Sequence, residues 1–147
     1  MKIIRATTED VPRIAECARM YTDVIPTCEF NEEFYLAQWR RFMASGVGGI
    51  FLLVDDGNTQ VFGGIGGIIH PDLLTGKLTA VELFWYVKPE YRSGGVRLLK
   101  TFEEWAKSRD CKVIAMICLS CSMMDKLDDF YRKAGYTLLE KHYIKEV

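Results

Sequence analysis

Between Val81 and Lys107 the sequence VELFWYVKPEYRSGGVRLLKTFEEWAK changes its hydrophobic period partway along. Val81–Val87 is a run of aromatic and β-branched residues, which suit a buried pleated surface. Pro89 ends the run, because proline cannot donate to a ladder. Arg92, Ser93, Gly94 and Gly95 follow, and then Val96, Leu99, Phe102 and Ala106 recur at helical spacing. The stretch therefore predicts a strand, a sharp polar turn and an amphipathic helix. A helix start leaves backbone N–H groups unpaired and carries partial positive charge. Glycines in front of it let a ligand approach the backbone closely. Together these make a place for phosphate, and Arg92 and Arg97 flank the glycines with charged donors. The same residues also make an ordinary glycine turn, so the local pattern leaves both readings open.

The rest of the chain decides what surrounds this unit. At 147 residues and 49% apolar content it suits one domain, residues 1–147, with a real core. Net charge is -1 with both signs interspersed, so nucleic acid is not an expected partner. MKIIRATTED holds no apolar run of signal-peptide length. Nothing reaches the roughly 18 apolar residues of a membrane span. A cytoplasmic protein is the expectation.

Lys2–Ala6 reads as a first strand. Thr7 to Asp10 cap a helix with Val11, Ile14, Ala15 and Ala18 on its apolar face, and Pro12 is tolerable early in it. Pro26 breaks the chain. Asn31-Glu32-Glu33 opens a second helix carrying Leu36, Trp39 and Met43. Gly49–Val54 is a continuous apolar strand, as expected when both sheet faces are covered. Asp55–Asn58 turns it into a partner strand, Gln60–His70, that contains GGIGG. This is not a nucleotide loop, since Ile68-Ile69-His70-Pro71 continues as strand. It predicts a bulge or a close backbone approach. After the central helix come a strand at Lys112–Cys118, a capping box from Ser122, a helix ended by Gly135, and a closing strand at Tyr136–Glu146.

Two segments of this plan resemble a known family. VKPEYRSGGVRLL is similar to the acetyl-CoA-binding motif of the GCN5-related N-acetyltransferase (GNAT) superfamily, Arg/Gln-x-x-Gly-x-Gly/Ala after a V-x-P-x-x-R strand end. Arg92, Gly95 and Val96 match, and Arg97 departs from the usual Gly or Ala. FYRKAGY, Phe130 to Tyr136, resembles the family's closing helix and the strand after it, in the family's order and spacing. The wording is also similar to that of small members found in phage genomes. The resemblance implies an α/β GNAT fold: a mixed, mostly antiparallel sheet of about six to seven strands with helices on both faces. It implies that Arg92, Ser93, Gly94, Gly95, Val96 and Arg97 hold the pyrophosphate of acetyl-CoA, and that Trp85, Tyr86 and Val87 pair with its pantetheine arm. It also implies that the first two helices wall an acceptor pocket. Many members are dimers, so a homodimer is an expectation too.

The implied activity is transfer of an acetyl group to a primary amine on a small molecule or a protein. Tyr131 matches the family tyrosine that protonates the leaving thiolate; a core tyrosine with a satisfied hydroxyl is the other reading. Met124 stands where many members have a cofactor-touching asparagine. Glu82 is the only acid in its apolar run and can act as base through a raised pKa, or serve in a salt bridge. It lies one residue from the family's commonest place for a glutamate. Strand alternation would turn it to the other face unless a bulge restores it. The place that other members use for a base falls at Leu119, which leaves water as a further acceptor of the proton.

Other features fit less special roles. Phe34, Tyr35, Trp39, Trp85 and Tyr86 can line a pocket or simply fill a core. Cys118 and Cys121 form a C-x-x-C, but no second pair completes a zinc site, and no metal is expected. A redox role would need a depressed thiol pKa, and structural thiols are the alternative. His70 reads as a surface residue. A non-catalytic acyl-CoA-binding or partner-binding module on the same fold is the rival to the enzyme.

Overall fold

The computed structural model describes residues 1–22, 29–118 and 124–145. The readings placed on Pro26, Leu119, Cys121 and Ser122 lie outside them. β1 (Lys2–Arg5), β2 (Gly48–Val54), β3 (Val61–Pro71), β4 (Leu78–Val87) and β5 (Val113–Ala115) form one sheet in that order. The first four are antiparallel neighbours, and β5 joins β4 in parallel. The helices are α1 (Ala15–Thr22), α2 (Glu32–Ala44), α3 (Gly95–Ser108) and α4 (Met124–Lys133).

Local chemistry explains the boundaries. Pro12 has no N–H and interrupts an α ladder, so Thr8–Ile14 winds as a 3-10 helix and α1 starts only at Ala15. The expected apolar face survives, because Val11, Ile14, Ala15 and Ala18 are all buried. Asn31 caps α2 by accepting the Phe34 N–H at 2.9 Å. The Asp55 carboxylate organises the β2–β3 turn, accepting from the Thr59 N–H at 2.7 Å and the Gln60 N–H at 2.6 Å. Gly135 ends α4 with φ of 90°, the left-handed cap that favours glycine.

Each sheet face buries its own cluster. On one, α3 lays Leu98, Leu99, Phe102, Trp105 and Ala106 against Phe51, Leu53, Ile65 and Ala80. On the other, Val11, Ile14 and Trp39 cover Ile50, Leu52, Val54 and Phe84. β2 is buried along its whole length, as its unbroken apolar run predicts. Val96 was expected on the apolar face of the central helix. It is 43% exposed instead, and Leu98 and Trp105 take the buried positions.

The closing strand expected at Tyr136–Glu146 is not formed over residues 136–145, so the described sheet has five strands rather than six or seven. Strand propensity is realised only when a segment pairs with a partner strand, and residues 136–145 do not. Here Tyr136 is tied down by donating its hydroxyl to Glu103 of α3 at 2.7 Å, and Leu138, Leu139, Tyr143 and Ile144 are exposed.

β3 is glycine-rich because its neighbours leave no room. A Cβ at Gly67 would collide with the Val81 carbonyl and lie 2.7 Å from the Phe102 ring. At Gly95 a Cβ would meet nothing nearer than Trp85 at 3.5 Å. Gly67→Ala should therefore lower stability by about 1–3 kcal/mol, while Gly95→Ala leaves it unchanged or higher. Urea unfolding of the two variants checks this, and equal midpoints would contradict the packing described.

Candidate functional site

The site forms where β4 leaves β5. Their parallel pairing runs from Thr79–Val113 to Val81–Ala115 and stops, while β4 continues along β3 as far as Val87 opposite Gly63. The register shifts at this place: Gly67 faces Glu82 and Gly66 faces Phe84, leaving Leu83 as the extra residue of a bulge. Leu83 is 40% exposed. Because of the bulge, Phe84 packs with the cluster of Val11, Ile14 and Trp39 while Ala80, Trp85 and Val87 pack with the α3 cluster. A regular strand would put residues 80, 82 and 84 on one face.

Glu82 is thereby drawn into the interior, at 3% exposure. Its Oε2 accepts the Ile117 N–H at 2.9 Å. Burial pushes the carboxyl up to about 7, and the Ile117 N–H pulls against that shift. No salt bridge involves Glu82 among the described residues.

Tyr131 comes to the same place from α4. It is 7% exposed, its hydroxyl donates to the Ile117 carbonyl at 3.2 Å, and its ring centroid lies 6.2 Å from that of Trp85. Tyr136 stands edge-on to it at 5.5 Å. Glu82 and Tyr131, far apart in sequence, thus meet on the two backbone groups of one residue.

The glycine turn adjoins this pair. Pro89–Gly94 is a 3-10 helix that runs into α3, and the Gly95 N–H donates to the Arg92 carbonyl. A stack of Tyr91 on Phe62, at 4.1 Å, holds the turn to β3. Gly94 and Gly95 are buried, the first against Leu53 and the second beside Trp85 and Val87. Arg92, Ser93, Val96 and Arg97 are exposed around them. Arg97 therefore does not fill the turn from inside, and its charge lies at the rim of the first helical turn.

The remaining candidates separate by burial. Trp39 is core, 5.4 Å edge-on from Phe84, Tyr35 is half-buried next to it, and Phe34 is exposed. Met124 is 48% exposed. Cys118 donates its thiol to the Met124 carbonyl at 3.7 Å, and burial followed by the nearby Asp128 and Asp125 raises its pKa. A redox thiol wants the opposite shift. Ile117 had no signal in the sequence, because its contribution is made by backbone atoms that every residue carries.

A mixed sheet in which β5 pairs with β4 over only part of its length, with a glycine turn leading into a helix beside it, defines an α/β class of fold. The sequence matches the family described as the Acetyltransferase (GNAT) family over residues 14–136, and the chain belongs to that family. This family uses acyl-CoA. No curated protein matches the sequence. Among solved structures, a predicted acetyltransferase with acetyl-CoA from Clostridium acetobutylicum superposes with a TM-score of 0.76 at 15% identity, covering 99% of this chain and 95% of that one. An aminoglycoside antibiotic 6'-N-acetyltransferase from Acinetobacter haemolyticus gives 0.72 at 19% identity, covering 100% and 99%. A ribosomal-protein-alanine N-acetyltransferase from Brucella melitensis gives 0.70 at 15%, covering 100% of both chains. These likenesses show the fold, and none supports the finer resemblance to phage members.

The buried carboxyl has a consequence for stability. The folded chain holds the Glu82 proton up to about pH 7, whereas the carboxyl's ordinary value is 4.5. Its contribution is therefore fully present below 4.5 and is lost as pH rises through 7. Glu82→Gln should gain on the wild type across that window, by at most about 3 kcal/mol. Thermal unfolding of both proteins on either side of the window measures it, and a difference that does not change with pH would contradict the buried, titrating carboxyl.

Proposed function

We propose that the chain is an acetyl-CoA-dependent N-acetyltransferase that passes the acetyl group directly to a primary amine. What carries the reading is the meeting of Glu82 and Tyr131 at Ile117, beside the end of the β4–β5 pairing. Acetyl-CoA is the co-substrate. Arg92, Ser93, Val96 and Arg97, with the Gly94–Gly95 backbone, would take its pyrophosphate at the start of α3. Trp85, Tyr86 and Val87 would pair with the pantetheine arm along β4.

Glu82 as carboxylate takes one proton from the ammonium group of the acceptor. The freed amine attacks the thioester carbonyl carbon, forming the C–N bond, and collapse of the tetrahedral intermediate breaks the C–S bond. Tyr131 gives its proton to the departing thiolate, and the proton left on nitrogen restores it through solvent. The amide and CoA thiol leave, and Glu82 returns its proton to water. With its pKa at about 7 the carboxyl is poised for this exchange near neutral pH. Holding both substrates in line accounts for much of the rate, up to roughly 7–11 kcal/mol for well-oriented groups.

The acceptor class is an amine on a small molecule or on a protein. Structural neighbours whose names specify an aminoglycoside or a ribosomal-protein alanine give two starting points for a screen. A non-catalytic acyl-CoA-binding module would bind the co-substrate in the same assay without releasing thiol.

With an acceptor from such a screen, Tyr131→Phe should slow thiol release at saturating acetyl-CoA by about 100-fold or more. Acetyl-CoA affinity by calorimetry should stay within a few-fold of wild type. Wild-type rates in this variant would remove Tyr131 as the acid.

A further inference from the structure

We propose that Ile117 is a positioning residue that sets Glu82 and Tyr131 against each other, its N–H fixing one oxygen of the carboxylate and its carbonyl holding the phenol. The inference rests on the roles proposed above for those two side chains, and it assigns the task of registering them to the backbone after β5.

The geometry follows from the way the sheet opens. β5 pairs with β4 through Ala115, so continued parallel pairing would bring Ile117 opposite Leu83. Leu83 is the bulged residue, and no β4–β5 pairing forms there. Ile117, 44% exposed, lies beyond that pairing, and a side chain rather than a strand receives its N–H. The Glu82 carboxylate takes it at 2.9 Å, and the Ile117 carbonyl accepts from Tyr131 at 3.2 Å. Both polar groups of one residue are committed to the two proton-transfer candidates.

Two consequences follow. Oε2 of Glu82 already accepts the amide, which leaves both lone pairs of Oε1 for the ammonium proton. Tyr131 rests on Ile117 until a thiolate competes for its proton, so any shift of Ile117 relative to Glu82 also moves the rest position of the acid. The surroundings of Glu82 are simple. Gly67 lies opposite it on β3 with Phe102 of α3 above, and Tyr131 is the titratable group that α4 brings up. Burial and the Ile117 N–H are the two influences on the carboxyl, and no charged neighbour contributes.

The test of the contact itself needs no acceptor. In isotope-labelled free protein, the Ile117 amide proton and nitrogen shifts and the Glu82 carboxyl carbon shift are followed by NMR from about pH 5 to about pH 9, a range that brackets the carboxyl's transition. The Ile117 amide should titrate with the same midpoint as the Glu82 carbon and lose that transition in Glu82→Gln. In Tyr131→Phe it should be displaced at every pH while resonances of β1 and β2 stay in place. An Ile117 amide that stays flat while Glu82 titrates, or that titrates equally in Glu82→Gln, would overturn the proposal. Failure of the base assignment itself reads differently: Glu82→Gln would then release thiol at the wild-type rate while the Ile117 amide in the wild type still followed Glu82.

Discussion

The opening between β4 and β5 is bridged by one hydrogen bond, from the Ile117 N–H to the Glu82 carboxylate at 2.9 Å. Buried backbone N–H groups inside a sheet must be paired, and Ile117 lies just past the last β4–β5 pair. The pairing ends at Val81–Ala115, just before the bulge at Leu83, and the Glu82 carboxylate receives the Ile117 N–H beyond it. The cost of burying that carboxyl appears as its raised pKa. A feature that reads as a structural compromise is thus also a chemical asset, because a carboxyl that titrates near neutrality can take a proton and return it.

The remainder of the fold keeps this opening rigid. Glycines on β3 let Phe84, Phe102 and the Val81 carbonyl close onto the sheet, which fixes β4 along one edge. Leu98, Leu99 and Phe102 fasten α3 to the sheet and so place its first turn beside Trp85 and Val87. Lys88, just past β4, is paired with Glu16 of α1 at 3.0 Å, on the rim where such a pair adds little stability but directs the chain. The turn that would take phosphates and the stretch of β4 that would take the pantetheine arm are therefore tied together through the same α3 cluster.

Much of this was legible in the sequence because it is carried by side-chain type and period. The change from period two to period 3.6 after Pro89, the Asn31 cap and the Gly135 stop all fell where simple chemistry puts them. The GGIGG segment was legible as strand for the same reason. Register and backbone were not legible. A bulge at Leu83 has no residue signature of its own, so the face taken by Glu82 stayed undecided until the pairing with Gly66 and Gly67 settled it. Ile117 acts through atoms common to every residue. The segment after Tyr136 has the residues of a strand, but pairing is a property of two segments. The 3-10 start of the first helix shows Pro12 prevailing over a good cap.

The central claim is that the β4–β5 opening and the start of α3 form one acyl-CoA site. Thermal unfolding with acetyl-CoA, free CoA and ATP tests it most directly. At about 100 times its dissociation constant a ligand stabilises by about 2.7 kcal/mol, a rise of a few degrees for a chain of this size. The account predicts that rise with both CoA forms and none with ATP. Unchanged unfolding at millimolar CoA and acetyl-CoA, or an equal rise with ATP, would contradict it.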